Sequence, residues 1–251
     1  MQVTQLVPIA VALALTLIEL RVSKAKTDWL RNLQAWLVSG IVGFALLPLL
    51  TIRGVPALLK GEDLPFWLAF PLFALVWDLG EYLYHRAQHR IPLLWAMHSL
   101  HHSDPEMSAL TTQRHFWGDQ LIKSLTVWFA ASLVVSPTPA IVAGFFVLSL
   151  WNFFAHANLK VDFGRFSWLL NSPAYHRRHH SRLPEHYNSN YAALFPIWDV
   201  IAGSYHRADG FPETGLDEGA PQSLREVIAW PLVYRKATGE AVSEELEAQA
   251  A

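Results

Sequence analysis

The chain contains no cysteine and few charged residues. None of its 251 residues is Cys, and Asp, Glu, Lys and Arg together make up 16%. The lack of cysteine excludes disulfides, thiolate zinc sites, iron–sulfur clusters and a cysteine nucleophile. The formal net charge is −2 and there is no dense run of Lys and Arg, so a nucleic-acid partner is not expected. Any bound metal must therefore be held by imidazole and oxygen.

Apolar residues are abundant instead, at 52% of the chain, which is more than a typical soluble domain contains. No charged or low-complexity linker divides the sequence, so we expect residues 1–251 to form a single membrane domain. The apolar stretches that suit a bilayer are residues 3–20, 35–50, 64–84, 121–135 and 139–154. This pattern predicts an all-α fold, a multi-pass transmembrane helical bundle with four to five membrane segments.

The lengths of these stretches leave the number of full spans open. Residues 3–20 carry only one charge, Glu19, and have no cleavage site before Arg21, so they resemble a first spanning helix rather than a signal peptide. Several other stretches are shorter than the roughly 20 residues that a full span needs. The last two are separated by residues 136–138, and they form either two spans or a hairpin that enters the bilayer partway. Their ends return to the same side in both cases.

The distribution of Lys and Arg predicts the orientation, because positively charged loops stay in the cytoplasm. The first loop contains Arg21, Lys24, Lys26 and Arg31, whereas the second contains only Arg53 and Lys60. With the first loop inside, the ends of the third and fifth segments lie on the cytoplasmic face. All the histidine groups described next then reach that face, so the sequence predicts an integral membrane protein with a cytoplasmic histidine site.

Nine of the twelve histidines fall into four tight groups. The groups are His85 and His89; His98, His101 and His102; His156; and His176, His179 and His180. The first pair is four residues apart, one helical turn, so both rings project from the same helix face. The second and fourth groups repeat the spacing H-x-x-H-H, which places the first histidine near the other two if the segment is helical.

These nine side chains are the candidate metal ligands. Nine imidazoles exceed the about four ligands of one zinc ion, so two metals are expected. Imidazole suits iron, copper and zinc, and the Glu-x-x-His pairs of soluble di-iron proteins are absent from this sequence. We favour two iron ions with O2 as co-substrate, because a redox-active metal that activates oxygen gains from a water-excluding cage. Zinc could replace iron in a purified sample.

The motifs between residues 77 and 205 resemble those of the fatty acid hydroxylase/sterol desaturase superfamily of integral membrane di-iron enzymes. They include Asp78 and Tyr82 before His85-Arg86, Trp95 before His98, Arg114-His115, His156-Ala157-Asn158, and Asn171-Ser172-Pro173 before His176. Asn190-Tyr191 and Trp198-Asp199 complete the pattern. The chain departs from it at Ser189, where members often have a carboxylate, and at Ala192, where they often have Gly.

The resemblance implies a membrane bundle of four or five helices, a cytosolic helical cap carrying a dimetal site, and oxygen-dependent C–H chemistry on a lipid. We expect no fused cytochrome b5-like segment, because the regions on either side of the motifs are short. We therefore expect electrons from an external donor, either cytochrome b5-like or ferredoxin-type. The substrate class, whether sterol, fatty acyl chain or related lipid, stays open, as does the choice between hydroxylation and desaturation.

Residues that orient the ligands are expected nearby, because a metal-bound histidine usually donates its other ring nitrogen to a carboxylate or carbonyl. No catalytic residue is predicted beyond the metal ligands. The candidates for this orienting role are Asp78, Glu81, His115, Asn158, Asn190 and Asp199. Two further histidines, His186 and His206, lie among polar turn residues and are expected at the surface.

Two other functions fit part of this pattern. A divalent metal transporter, or a metal-binding membrane protein without enzymatic activity, would place ionisable ligands along a path at the bilayer midplane. A haem cytochrome would need histidine pairs inside facing spanning helices, which leaves the H-x-x-H-H repeats unexplained. The sequence favours the membrane-bound di-iron oxygenase.

Overall fold

The computed structural model describes residues 3–23, 28–46 and 56–235. Eleven α-helices are found there, and they are α1 Val3–Val22, α2 Trp29–Leu46, α3 Phe66–Gln88, α4 Pro92–His102, α5 Trp117–Lys123, α6 Phe129–Val134, α7 Pro139–Ser149, α8 Trp151–Ala155, α9 Pro173–His179, α10 Ile197–Ala202 and α11 Leu224–Ile228. A π-helical turn, Ser124–Trp128, joins α5 to α6. The mostly helical character predicted from the sequence is confirmed.

A small parallel pairing of two short strands and an isolated antiparallel bridge between Ser181 and Thr214 are the β structure within the described ranges. Strands β1 (Leu59–Lys60) and β2 (Val135–Ser136) have two residues each. Leu59 is opposite Val135, and Lys60 is opposite Ser136. The pairing ties the segment before α3 to the turn between α6 and α7, so it closes one end of the apolar bundle.

The apolar stretches of the sequence are mostly helical where the structure describes them, with exceptions such as Leu64, Val135 and Leu150. Among the described residues, α3 is the one helix long and apolar enough to cross a membrane, and Pro139–Ala155 forms a shorter apolar stretch. At about 1.5 Å per residue, the 23 residues of α3 extend roughly 35 Å, enough for the hydrocarbon core. The loop charges Lys24, Lys26 and Arg53 lie outside the described residues.

Aromatic side chains pack α3 against the π-helical turn before α6 and against α7. Phe73 is fully buried, and its ring centroid lies 5.5 Å from that of Trp128 and 5.9 Å from that of Phe145, both edge-on. Gly80 permits a close approach on the same helix, because a Cβ there would lie 3.1 Å from Val127 Cγ1. This packing fixes the direction in which the last turn of α3 presents its histidines.

A second cluster supports α4 from the opposite side. Leu100, fully buried, packs with Trp230 and Tyr234 from the segment around α11. The Trp230 indole donates a hydrogen bond to Ser99 Oγ at 2.9 Å, and the Trp95 indole donates to Tyr234 Oη at 2.8 Å. The helix is therefore held on one face by apolar packing, which leaves its other face for the histidines.

Candidate metal centre

The nine candidate ligands form two adjacent groups in the structure. The first group contains His85, His89, His98, His102 and His179, and the second contains His101, His156, His176 and His180. Within each group the candidate ligand nitrogens lie within 4.8 Å of one another. The groups touch, since the rings of His102 and His180 stack with centroids 4.3 Å apart. Their convergence, predicted from the sequence, is confirmed, whereas their role as ligands stays a prediction.

Helix geometry explains how each H-x-x-H-H motif serves both groups. On α4, His98 and His102 are four residues apart and join the first group, whereas His101 belongs to the second. At the end of α9 the assignment is reversed, because His176 and His180 join the second group and His179 the first. Neighbouring residues point about 100° apart on a helix, so an adjacent pair naturally faces two different centres. Each H-x-x-H-H motif therefore contributes side chains to both groups.

The histidines sit at the carboxyl ends of four helices. His85 and His89 end α3, the second motif ends α4, His156 caps α8, and the last motif ends α9. The last carbonyls of a helix carry partial negative charge, which favours nearby cations. The local chain direction therefore adds to the attraction of this site for positive ions.

Backbone carbonyls fix the ring orientation of three histidines. The Nδ1 atoms of His85, His156 and His179 lie 2.6, 2.7 and 2.7 Å from the carbonyl oxygens of Tyr191, Asn152 and Ser189. Each Nδ1 must donate to its carbonyl, so each Nε2 carries a lone pair toward the centre. This is the arrangement in which imidazole acts as a metal ligand.

Most of the inward-facing nitrogens have no hydrogen-bond partner. All five Nε2 atoms of the first group are buried without a hydrogen-bond partner, as is Nε2 of His180. In the second group, His156 Nε2 lies 3.1 Å from His101 Nε2 and 3.0 Å from His176 Nε2. Since His156 already donates through Nδ1, its Nε2 faces two more nitrogens as an acceptor. Three imidazole nitrogens thus converge, and one of them can only accept, which is an arrangement that a cation between them would satisfy.

Burial keeps these imidazoles neutral. It lowers the pKa of His156 and of His179 to about 3. Burial together with the neighbouring histidines lowers the pKa well below 6.5 in His101, His102, His176 and His180. Only the neutral ring binds a metal, so the pocket is preset in the ligating form at neutral pH.

Asp119 joins the two groups, and sequence reasoning missed it. Its carboxylate, 1% exposed, lies 3.7 Å from His98 Nδ1 and 3.6 Å from His115 Nδ1. Tyr84 Oη and Gln88 Nε2 donate to its Oδ1 at 2.8 and 2.7 Å. His115 in turn stacks on His101 with ring centroids 4.3 Å apart. The signal available in the sequence was a carboxylate four residues after His115, just before the apolar stretch of residues 121–135.

Of the predicted orienting residues, His115 lies beside the ligands, whereas the two aspartates do not contact them. Asp78 accepts from the backbone N–H groups of Leu194 and Phe195 at 3.0 and 3.1 Å and from the Trp198 indole at 2.9 Å. Asp199 accepts from the backbone N–H groups of residues 191 and 192. Both carboxylates therefore bind the backbone of residues 191–195. They act on the histidines indirectly, because the carbonyl of Tyr191 in this segment orients the His85 ring.

The two asparagines also hold backbone and side chains other than the histidine rings. Asn190, with φ of 58°, donates to the carbonyl of His206 at 2.9 Å and accepts from its N–H at 2.7 Å. Asn158 Oδ1 accepts from Arg177 at 3.3 Å. His206 is exposed as expected, but the expectation for His186 was wrong, because it is buried and its Nδ1 lies 2.9 Å from Ser181 Oγ.

A cavity of about 650 Å³ opens beside both groups. His85 and His98 of the first group and His101, His156 and His176 of the second line part of it. Aromatic side chains of α2, α3, α7 and α8, including Trp36, Phe44, Trp77, Phe145 and Trp151, line the rest. The volume lies in the range of small-molecule sites, and much of the wall is apolar. Glu81, expected near the ligands, lies in this wall and is paired with Lys123.

Comparisons with known proteins show that the chain is similar to lipid-modifying enzymes. The family model described as fatty acid hydroxylase matches residues 70–204, more than half of the chain. The alkylglycerol monooxygenase of Danio rerio is 35% identical over 140 residues, which cover 56% of this chain and 30% of that protein. The ornithine lipid hydroxylase OlsE of Rhizobium tropici is 29% identical over 58% of this chain and 44% of its own.

A third relative is the cholesterol 25-hydroxylase of Homo sapiens, 28% identical over 61% of this chain and 58% of that protein. The chain thus spans less than two thirds of the length of each of these relatives. No solved structure matches the chain significantly. The matched region contains every histidine of both groups.

Proposed function

Since this chain belongs to the fatty acid hydroxylase family, we propose that it is an integral membrane di-iron oxygenase that hydroxylates a lipid with O2. The observation that carries the proposal is the pair of buried histidine groups whose members line a largely apolar cavity. Three relatives that act on chemically different lipids are named hydroxylases or monooxygenases, which favours oxygen insertion over desaturation.

The residues present fit a pair of metal ions. Six buried Nε2 atoms without a partner and a second set of nitrogens facing one another are what two cations would satisfy. His85, His89, His98, His102 and His179 would hold one ion, and His101, His156, His176 and His180 the other. Iron bound there would supply the redox chemistry that activates O2. Zinc would fit the same nitrogens without that chemistry.

The chain's own residues position the lipid and keep water away. The aromatic wall of the cavity binds the hydrocarbon chain, and the carbon to be oxidised lies at the histidine end. The carbonyls of Tyr191, Asn152 and Ser189 keep three imidazoles in the ligating tautomer. The histidines are held at the carboxyl ends of packed helices, so their geometry is set before substrate binds.

The membrane arrangement follows from the same helices. We infer a multi-pass protein of four to five membrane segments, with α3 as a full span and the histidine end in a cytosolic helical cap. A lipid then enters from the bilayer along the wall formed by α2, α3 and α7. Electrons come from a separate donor, cytochrome b5-like or ferredoxin-type, at the cytoplasmic face. This location agrees with the predominance of Lys and Arg in the first loop.

Labelling with ¹⁸O2 tests the proposal. Membranes containing the protein and an electron-donor system should transfer one labelled oxygen atom to an endogenous lipid, detected by mass spectrometry of the extract. A loss of two hydrogens without label would instead indicate desaturation. His101→Ala and His179→Ala should abolish incorporation, one from each group, whereas His206→Ala, an exposed histidine, serves as the matched control and should not change it.

A further inference from the structure

An ion pair lies in the wall of the lipid cavity. Lys123 Nζ is 3.4 Å from Glu81 Oε1 and 3.5 Å from Oε2, and both side chains are mostly buried. Glu81 is held in place by the Trp77 indole, which donates to its Oε1 at 3.1 Å. Both residues line the same cavity as the histidines. An ionisable pair beside apolar walls in a membrane protein is costly, which points to a role in binding.

The other carboxylates of the wall are already engaged. Asp78 accepts three hydrogen bonds from residues 194–198, and Asp119 accepts from Tyr84 and Gln88. Lys123 is the only Lys or Arg among the described residues that line the cavity. Its two separations from Glu81 exceed the 2.7–2.9 Å of a close charge-assisted hydrogen bond. An ammonium has three donors and a carboxylate about four acceptor sites, so the contacts with each other and with Trp77 leave hydrogen-bonding capacity on both residues, which line the cavity.

We propose that Glu81 and Lys123 bind an uncharged, hydroxyl-bearing lipid head group and select against charged ones; this rests on the proposed function. A hydroxyl both donates and accepts, so it can bridge Glu81 and Lys123 at once. The pair carries no net charge. A phosphate or an ammonium head group would therefore add an unbalanced charge to a largely dehydrated site, which is unfavourable.

The pair also sets which carbon reaches the histidines. Glu81 lies four residues before His85 on α3, so the two side chains share a face and are separated by one turn, roughly 6 Å along the axis. A hydroxyl held by Glu81 thus places the carbons a few bonds away at the histidine end. The substrate class is then a neutral, hydroxylated lipid that is oxidised close to its head group rather than far along its chain.

A binding experiment with three lipids of equal chain length tests this inference. Full-length protein in nanodiscs is incubated with 1-O-hexadecylglycerol, hexadecyl phosphate or hexadecylamine, and the retained lipid is measured by mass spectrometry against empty nanodiscs. The wild type should retain hexadecylglycerol about tenfold better than either charged lipid. Glu81→Gln, which leaves Lys123 unpaired, should shift the preference toward hexadecyl phosphate. Lys123→Met should shift it toward hexadecylamine.

Matched control variants separate a change in head-group preference from a general loss of structure. Arg182→Met and Asp217→Asn break a more exposed ion pair elsewhere and should leave the preferences unchanged. The double variant Glu81→Gln/Lys123→Met should bind hexadecylglycerol no better than hexadecane. The inference would be overturned if the two single variants kept the wild-type order of affinities for the three lipids, or if both shifted toward the same charged lipid. A double variant that still preferred hexadecylglycerol to hexadecane would also overturn it.

The binding measurement needs neither O2 nor electrons, so it is independent of turnover. A wild type with the expected preferences that never incorporates ¹⁸O would contradict the proposed function and leave the head-group site standing. Incorporation of ¹⁸O with no difference among the three lipids would support the function and overturn the head-group site.

Discussion

Replacement of Asp119 by Asn tests the link between the two histidine groups. The amide has nearly the shape of the carboxylate and can still accept from Tyr84 and Gln88 through Oδ1. It removes the negative charge that lies 3.7 Å from His98 Nδ1 and 3.6 Å from His115 Nδ1. That charge favours the proton on Nδ1 of His98, which leaves Nε2 free for a metal.

The size of the effect follows from comparable carboxylate–histidine pairs at metal sites. Loss of such a partner weakens metal binding by about 10- to 100-fold, or roughly 1.4 to 2.7 kcal/mol. We expect this loss at the group that contains His98, with a smaller change at the group that contains His101. The assay is a titration of metal-free protein with Co²⁺ against a competing chelator, in which the absorption bands report the coordination of each site.

The control for Asp119→Asn is Asp217→Asn, which removes a carboxylate in an exposed ion pair. It should bind Co²⁺ like the wild type. Equal affinities in Asp119→Asn and the wild type would refute the reasoning, because they would show that the carboxylate does not orient His98. An equal loss at both groups would point to a general structural defect and would also contradict it.

Two further predictions concern the remaining buried polar groups. Acidification should destabilise the metal-free protein below about pH 6.5, because histidines of the unfolded chain take up protons there, while burial keeps the pKa of His156 and His179 at about 3 in the folded protein. Each of the two histidines should lower the free energy of unfolding by up to about 1.4 kcal/mol per pH unit. Unfolding followed by near-UV circular dichroism at a series of pH values measures this loss. Arg114→Met should lower the free energy of unfolding by about 3 kcal/mol. Arg114 is fully buried and donates hydrogen bonds to Leu100 O, Ser103 Oγ and Asn32 Oδ1, which the variant would leave without this donor. An unchanged unfolding temperature would contradict this prediction.

The convergence of the histidines could be predicted from the sequence because it depends on local spacing. The four-residue intervals from His98 to His102 and from His176 to His180 place each pair on one helix face, and the chain topology returns both helices to the same end of the bundle. The split between His101 and His102 follows from the same helix geometry, but assigning each to a group requires the relative rotation of α4 and α9, which side-chain packing decides.

The orienting partners could not be predicted in the same way. His85, His156 and His179 are fixed by backbone carbonyls, and any residue type at positions 191, 152 and 189 would supply them. Asp78 and Asp199 were candidate partners because a metal-bound histidine usually donates to a carboxylate or carbonyl, and Asp78 stands two helical turns before His85. Their partners are instead backbone N–H groups of residues 191–195, whose need for acceptors appears only once the turn before α10 is formed.

Metal content per chain tests the central claim most directly. Protein expressed in iron-supplemented medium should contain about two equivalents of metal by plasma mass spectrometry. His102→Ala and His180→Ala, one from each group, should each lose occupancy chiefly in their own group, as seen in the Co²⁺ absorption bands. One equivalent or less in the wild type, or two unchanged equivalents in both variants, would contradict the account.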